Sequence, residues 1–372
     1  MRGGFALGAL ATVAVVTLVA SSCSTGDPVS GGSGSVAAGG PTTTLLIDRL
    51  LAPARTTPDG APAPAGTAPI DLVVPPRPSL GCGGGLVAGD DHIGLTSSGV
   101  QRASMRHRPL GYDGTRAAPL VIDLHAYTES AAVHAAFDGL ADTADRHGFL
   151  LVTPSGTGDS PIWNSARSPF VSDDVMFVRD LLHTVESTDC VDSNRIYVTG
   201  LSNGGLMASQ LACSLSEQIA AVAPVAGVTV PADCAPTRAV PTIAFHGTAD
   251  TFLEYGGGLG PSGDGLMTTP QSVAVFKNLD RRSVPDLMSD WARRNGCTAL
   301  VPDQQLGADV VLRRWAGCGA DVQLYTVEGG GHSWPGSAAY RAAPGIGTTT
   351  MTIDANELMW AFFEQHPLIV GA

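Results

Sequence analysis

The stretch "RIYVTGLSNGGLMASQLA", Arg195 to Ala212, constrains the fold more than any other. Arg195 to Thr199 is β-branched and aromatic, the composition of a short buried strand. After Gly205 come helix formers, with Leu206, Leu211 and Leu215 at helical spacing roughly on one side. Between the two lies only Gly200-Leu201-Ser202-Asn203-Gly204-Gly205. A strand that feeds so directly into a helix is the building unit of a parallel α/β sheet.

The glycines give Ser202 a special position. Gly200 and Gly204 leave room for a sharp turn where side chains would collide. Such a turn lifts a serine hydroxyl above the sheet, at a helix N-terminus that favours developing negative charge. Ser202 is therefore a candidate nucleophile. The bland alternative is a Gly-Ser turn with Ser202 as an N-cap. With 46 glycines in the chain, a GxSxG pattern arises readily by chance, so the strand and helix on either side carry the assignment.

A serine nucleophile on this unit is followed in chain order by an acid and a histidine. The chain supplies both. "VPTIAFHGTADTFLEY" is an apolar strand closed by His246-Gly247, with Asp250 in the loop after it. Glu254 lies four residues further on, where it is expected to point towards the rim. "QLYTVEGGGHSWPG" is a strand, three glycines that free the backbone, and His332. One histidine among nine is weak by itself, and His332 gains weight from the three glycines before it and from the ordered roles of a triad. Loops at the carboxyl edge of a doubly wound sheet are where ligands bind.

Upstream, "APLVIDLHAYTES" predicts a strand over Pro119 to Leu124, then His125-Ala126-Tyr127. The loop after such a strand commonly gives one oxyanion donor, and the residue after the nucleophile gives the other. These are the backbone N–H groups of Tyr127, or a neighbour, and of Asn203. His125 reads as structural. Trp163, after the strand "FLLVTPSG", and Trp334, two residues beyond His332, are candidates to line the substrate site; core packing is the competing role for both. No cysteine sits in a CxxC or zinc-ligand spacing.

The N-terminus is read apart from the fold. An apolar run from Phe5 to Ala20 has the length of a signal-peptide core and ends in small residues and Cys23. It resembles a bacterial lipoprotein signal, with Ala20 where Leu or Val is usual. Lipidation of Cys23 and plain secretion with cleavage nearby both remain open. Residues 24–78 are rich in Gly, Pro, Ser, Thr and Ala and read as a tether; the apolar island "TLLIDRLL" within them is a candidate short docking helix. The division is then 1–23 signal, 24–78 tether and 79–372 catalytic domain. Of seven cysteines, six remain once Cys23 is set aside: Cys82, Cys190, Cys213, Cys234, Cys297 and Cys318. An even number in an exported chain suggests three disulfides, with connectivity open among about fifteen pairings. A net charge of −13 argues against nucleic acid as a partner.

Taken in order, "APLVIDLHAY", "WN", "RIYVTGLSNGGLMA", "AAVAPVAG", "HGTAD" and "GGGHSWPG" resemble the polyhydroxybutyrate depolymerases and the feruloyl and acetylxylan esterases. More narrowly, the chain is similar to their actinobacterial lipoprotein members. The resemblance covers roughly residues 80–367. It implies an α/β-hydrolase fold with a mostly parallel, doubly wound sheet, a serine carboxylester hydrolase without a cofactor, and an extracytoplasmic site. It implies Ser202 as nucleophile, His332 as base and Asp250 as the acid that orients it. It also points to Cys297 with Cys318; apart from the resemblance, Cys213 is expected with Cys234, which leaves Cys82 with Cys190. The family's usual His-Gly is His125-Ala126 here, which bears on the oxyanion loop. Tyr255 to Pro285 is longer than the family's spacing and reads as part of a lid or rim. The alternatives are another acyl-transfer serine hydrolase, a peptidase or acyltransferase, and a non-catalytic surface binding lipoprotein on a hydrolase scaffold. The expected partners are an ester substrate, small or polymeric, and a membrane through a lipid anchor.

Overall fold

Side chains of the central strands alternate between two apolar layers. Leu120, Ile122 and Leu124 enter one core with Val198, Val222 and Ala244, while Val121, Tyr197, Ala223 and Phe245 enter another. A strand buried on both faces is the mark of a sheet covered by helices on each side. The computed structural model describes residues 74–277 and 279–369.

The eleven-stranded sheet has the order β1-β2-β4-β3-β5-β6-β7-β11-β10-β8, with β9 pairing β10. Its strands are β1 Gly89–Ser97, β2 Val100–Arg108, β3 Ala118–Leu124, β4 Leu150–Pro154, β5 Val191–Leu201, β6 Ala221–Val225, β7 Thr242–Gly247, β8 Ala299–Leu300, β9 Gln304–Leu306, β10 Val310–Ala316 and β11 Val322–Val327. From β4 across to β11 every pairing is parallel; the hairpins at both edges are antiparallel. This is the mostly parallel, doubly wound sheet expected from the sequence.

Helices cover both faces. They are α1 Ala131–Asp138, α2 Leu140–His147, α3 Asp174–Thr188, α4 Asn203–Ser214, α5 Pro270–Phe276, α6 Val284–Arg294, α7 Ala338–Ala342 and α8 Ala355–Glu364. Phe177, Leu181, Leu211 and Trp291 from α3, α4 and α6 join one core, and Leu140, Met359, Trp360 and Phe363 from α2 and α8 join the other. The leucines of α4 do not share one face as their spacing suggested. Asn203 through Cys213 are all buried, and Leu206 leaves Leu211 and Leu215 to join a third cluster with Tyr127, Leu253 and Phe276. A helix buried all round carries no amphipathic signal.

Residues 74–78, assigned by composition to the tether, are bonded to the domain. The Arg77 amide donates to Asp192 Oδ1 at 2.8 Å, Asn194 Nδ2 donates to the Pro75 carbonyl at 3.1 Å, and Pro78 bridges Asp192. Backbone groups that find partners give a Pro-rich segment a fixed course despite its small apolar content. Three disulfides join Cys82 to Cys190, Cys213 to Cys234 and Cys297 to Cys318. Cys23, the signal and the "TLLIDRLL" island lie outside the described residues.

Candidate active site

The register of the parallel strands sets their carboxyl ends level. Leu124 pairs with Gly200, Leu201 with Val225, Val225 with Phe245, and Gly247 with Val327. The residues that follow these ends, His125, Ser202, Asp250 and His332, therefore gather along one edge.

Ser202 sits between β5 and α4 with φ 56° and ψ −117°, a left-handed conformation that L side chains rarely adopt. Its amide donates to the Val225 carbonyl at 2.9 Å, and its carbonyl accepts from Leu206 at 2.9 Å. Its hydroxyl makes no cap bond, whereas Ser130, Asp173, Thr269, Ser283, Ser337 and Asp354 all cap their helices. The N-cap reading of the Gly-Ser turn thus fails, and a strained backbone presents a hydroxyl that the helix does not use.

The elbow glycines are needed for close approach rather than for positive φ. A Cβ on Gly204 would lie 2.0 Å from the Leu124 carbonyl oxygen, and one on Gly200 2.6 Å from the same atom. The turn is wedged against the end of β3. The run before His332 works in the same way. A Cβ on Gly331 would meet the Ile346 carbonyl oxygen at 2.1 Å, and of the three glycines only Gly329 has positive φ.

Asp250 and His332 are joined. His332 Nδ1 lies 2.7 Å from Asp250 Oδ2, while Asp250 Oδ1 accepts the amides of Phe252 at 2.8 Å and Leu253 at 3.0 Å. Burial alone would raise the Asp250 pKa. The charge on His332 and the hydrogen bonds and charge from His246 outweigh it and hold the carboxyl well below the usual range. An ionised carboxylate only accepts, so the proton of the His332 ring is on Nδ1 and Nε2 is left as a base. His246 Nε2 stands 3.3 Å from Asp250 Oδ2 and 2.8 Å from the Leu253 carbonyl. This support for the acid was not foreseen, because His246 read only as the end of a strand.

In the turn after β3, the amides on either side of Tyr127 are taken. Ala126 N–H donates to Glu129 Oε2 at 3.1 Å, Thr128 N–H donates to the Pro161 carbonyl at 2.9 Å, and the Tyr127 amide has no acceptor among the described residues. The Asn203 amide, at the first position of α4, has none either. Asn203 itself is fixed from behind: its Oδ1 accepts the Trp163 amide at 2.7 Å and its Nδ2 donates to the Trp163 carbonyl at 3.1 Å.

His125 is structural, as the sequence suggested. Its Nε2 accepts the Gly156 amide at 2.8 Å, and Nδ1 donates to the Ala126 carbonyl at 2.7 Å. Burial pushes its imidazole down to about 4, so it stays neutral.

The two tryptophans do not line a substrate site. Both are fully buried, Trp163 in one core and Trp334 in the other. The Trp163 indole N–H donates to the His125 carbonyl at 2.9 Å, and that of Trp334 to Asn356 Oδ1 at 2.7 Å. Both are packing residues that brace the loops. Within the segment Tyr255 to Pro285, Val275 and Phe276 of α5 pack with Tyr127, Leu206 and Leu253. Beside them a cavity of about 740 Å³ is lined by Ser165, Phe170, Leu206 and Gln210; neither Ser202 nor His332 reaches it.

Among the described residues, only Asp123, His134 and Asp138 group as metal ligands would. His134 Nε2 is 3.0 Å from Asp123 Oδ1, and the neighbouring acids hold the imidazole well above its ordinary pKa despite burial. The buried imidazolium fills the place of a cation.

No family model matches the chain. It is similar to Feruloyl esterase B of Piromyces equi, with 31% identity over 233 residues, 60% of this chain and 41% of that protein. It is similar to Putative esterase NocK of Nocardia uniformis subsp. tsuyamanensis, with 29% identity over 244 residues, 60% of this chain and 68% of that protein. The chain thus spans less than half the length of the first of these relatives. Among solved structures, the acetyl xylan esterase from Aspergillus awamori matches 74% of this chain and 99% of its own, with a TM-score of 0.51 and 14% identity. The fold is that of an α/β-hydrolase, and the sequence relatives are esterases.

Proposed function

We propose that the protein is a serine esterase that hydrolyses carboxylic esters through Ser202, His332 and Asp250. The observation that carries this reading is the 2.7 Å contact of His332 with Asp250, on the sheet edge where Ser202 is held in a strained elbow with an uncapped hydroxyl. Likeness to named esterases supports the reaction class.

In this mechanism Ser202 Oγ attacks the ester carbonyl carbon while His332 Nε2 takes the hydroxyl proton. The carbonyl oxygen becomes an oxyanion, bound by the amides of Asn203 and Tyr127. The bond from carbon to the alcohol oxygen then breaks, and His332 returns the proton to the leaving alcohol. Water attacks the acyl-serine and gives a proton to His332; the bond from carbon to Ser202 Oγ then breaks, His332 returns the proton to Oγ, and the acid is released. Asp250 keeps the imidazole in one tautomer and stabilises its charged form.

The test is labelling by a fluorophosphonate together with hydrolysis of a panel of short and aromatic esters. Parent protein should label and turn over, and Ser202→Ala should do neither while folding normally. A folded Ser202→Ala with near-normal turnover would reverse the assignment.

The division into a signal, tether and catalytic domain belongs to the same proposal, with the domain starting by Val74. Three disulfides support an oxidising compartment outside the cytoplasm. Among the described residues no helix is long and apolar enough to cross a membrane. Membrane attachment is proposed through a lipid on Cys23, for which mass spectrometry of the mature N-terminus is the test. An unmodified peptide starting beyond Cys23 would refute lipidation.

A further inference from the structure

Ala126 to Glu129 is the turn that carries the Tyr127 amide, and it is under strain. Thr128 has φ 68°, a left-handed conformation that is costly for a β-branched residue. Such strain persists only where the surroundings over-determine it. Glu129 closes the turn twice. Its amide donates to the Ala126 carbonyl at 3.2 Å, and its carboxylate Oε2 accepts the Ala126 amide at 3.1 Å.

The Glu129 carboxylate is itself held by groups from elsewhere in the fold. His134 Nδ1, on α1, donates to Oε2 at 3.1 Å, and the Tyr340 hydroxyl, on α7, donates to Oε1 at 3.0 Å. The opposite nitrogen of His134 donates to Asp123 on β3 at 3.0 Å. His134 packs edge-on against Trp334, 5.7 Å between centroids, and Asn356 links the Trp334 indole to the Asp138 carbonyl. The brace therefore reaches the segment just after His332.

We propose that Glu129 is a positioning residue for the oxyanion site: by holding the Ala126–Glu129 turn it keeps the Ala126 amide occupied and the Tyr127 amide free to bind the oxyanion. The proposal rests on the esterase reading. Glu129 touches no reacting atom and acts through the Tyr127 amide.

The test measures kcat and KM for p-nitrophenyl acetate, with thermal midpoints, for the parent, Glu129→Ala, Glu129→Gln and Tyr340→Phe. Loss of a whole oxyanion donor costs about a hundredfold to a thousandfold in kcat, and a donor left misaligned should cost less. Glu129→Ala should lower kcat by about tenfold to a hundredfold with KM within about threefold, because the contact matters in the transition state alone. Glu129→Gln retains a carbonyl to accept the Ala126 amide and should recover most of that loss. Tyr340→Phe removes only one donor to Glu129 and should lower kcat a few-fold. If Glu129→Ala does not fold, Tyr340→Phe and Glu129→Gln decide the matter, and parent kcat in Tyr340→Phe overturns the proposal. It is also overturned by a folded Glu129→Ala with parent kcat, or by failure of Glu129→Gln to recover activity. If the parent neither labels with a fluorophosphonate nor turns over, the esterase reading fails with it. An active parent, an inert Ser202→Ala and an unaffected Glu129→Ala would sink this inference alone.

Discussion

His332 Nδ1 and Asp250 Oδ2 lie 2.7 Å apart across 82 residues of chain, while Glu254, four residues after the aspartate, is exposed. The loop that follows β7 thus turns one carboxylate into the core edge and the other to solvent. Asp250→Asn keeps the shape but offers an amide where an ionised acceptor stood, which disturbs the tautomer of His332. In serine proteases the matching change costs about 10⁴-fold in kcat, and a loss of similar kind is expected here. Glu254→Gln should alter kcat by a few-fold at most. Steady-state rates of both variants on one soluble ester decide it; a severe loss in Glu254→Gln beside a mild one in Asp250→Asn would reverse the roles.

The wedge of Gly204 against β3 gives a stability prediction. A methyl group there would sit 2.0 Å from the Leu124 carbonyl oxygen and 2.8 Å from that of His125, both backbone atoms of a buried strand end. Neither side yields cheaply. Gly204→Ala should cost about 3 kcal/mol or more, at or above the usual overpacking range. Urea unfolding of Gly204→Ala beside Gly265→Ala, where no atom lies within reach of the added methyl, provides the comparison. Equal midpoints would mean that the elbow is not wedged as described.

The elbow was legible because its signal is local: a strand, a glycine knot and a helix within one short stretch. The pairing of Asp250 with His332 was legible by order along the chain, each on a loop after an apolar strand. What failed was everything decided by burial across the fold. An indole suits a pocket and a core alike, so the places of Trp163 and Trp334 near the site did not show which way they turned. Residues 74–78 read as tether because composition does not reveal that Asp192 and Asn194, far along the chain, bind their backbone. Glu129 and His134 went unnoticed for the same reason, since their partners Asp123 and Tyr340 come from a strand and a distant helix.

His125 sets a pH dependence. Its pKa is held near 4 in the folded protein by burial, against about 6.5 when exposed. Between these values the unfolded chain takes up a proton that the native protein refuses, so stability falls as pH drops from about 6.5 towards 4. A shift of this size corresponds to roughly 3 kcal/mol across that window. Asp250 acts lower on the scale. Its depressed pKa contributes stability that is present above the unfolded value and lost as pH falls below about 4. Thermal midpoints at a series of pH values, compared with His125→Gln, should show a flatter slope for the variant between pH 6.5 and 4. Parallel curves would remove His125 as the cause.

Tyr127 tests the packing around α5. Its hydroxyl is buried without a partner among the described residues, within the cluster formed by Leu206, Leu253, Val275 and Phe276. A buried unpaired hydroxyl costs about 1–3 kcal/mol. Tyr127→Phe should therefore leave the thermal midpoint unchanged or raise it. A marked fall would show that the hydroxyl has a partner in solution.

The disulfides differ in what they restrain. Cys82–Cys190 closes a separation of 108 residues and ties the segment after Arg77 to the start of β5; the other two each close 21. On the loop-entropy account, such bonds restrict the unfolded chain by about 5 kcal/mol for the long loop and about 3 kcal/mol for the short ones. The long bond also lies beside native contacts that do not depend on it: Ser79 N–H donates to the Val191 carbonyl at 2.9 Å and Gly81 N–H to that of Glu186 at 2.8 Å. Removing the bond should thus loosen the unfolded chain while leaving the native fold and the distant elbow in place. The double variant Cys82→Ser, Cys190→Ser is expected to lose the most stability of the three cysteine pairs yet keep the parent kcat. Denaturant unfolding and turnover measured on all three double variants check both halves. A smaller loss for this pair than for Cys213 with Cys234 would show that native strain or residual structure, rather than loop length, governs these bonds.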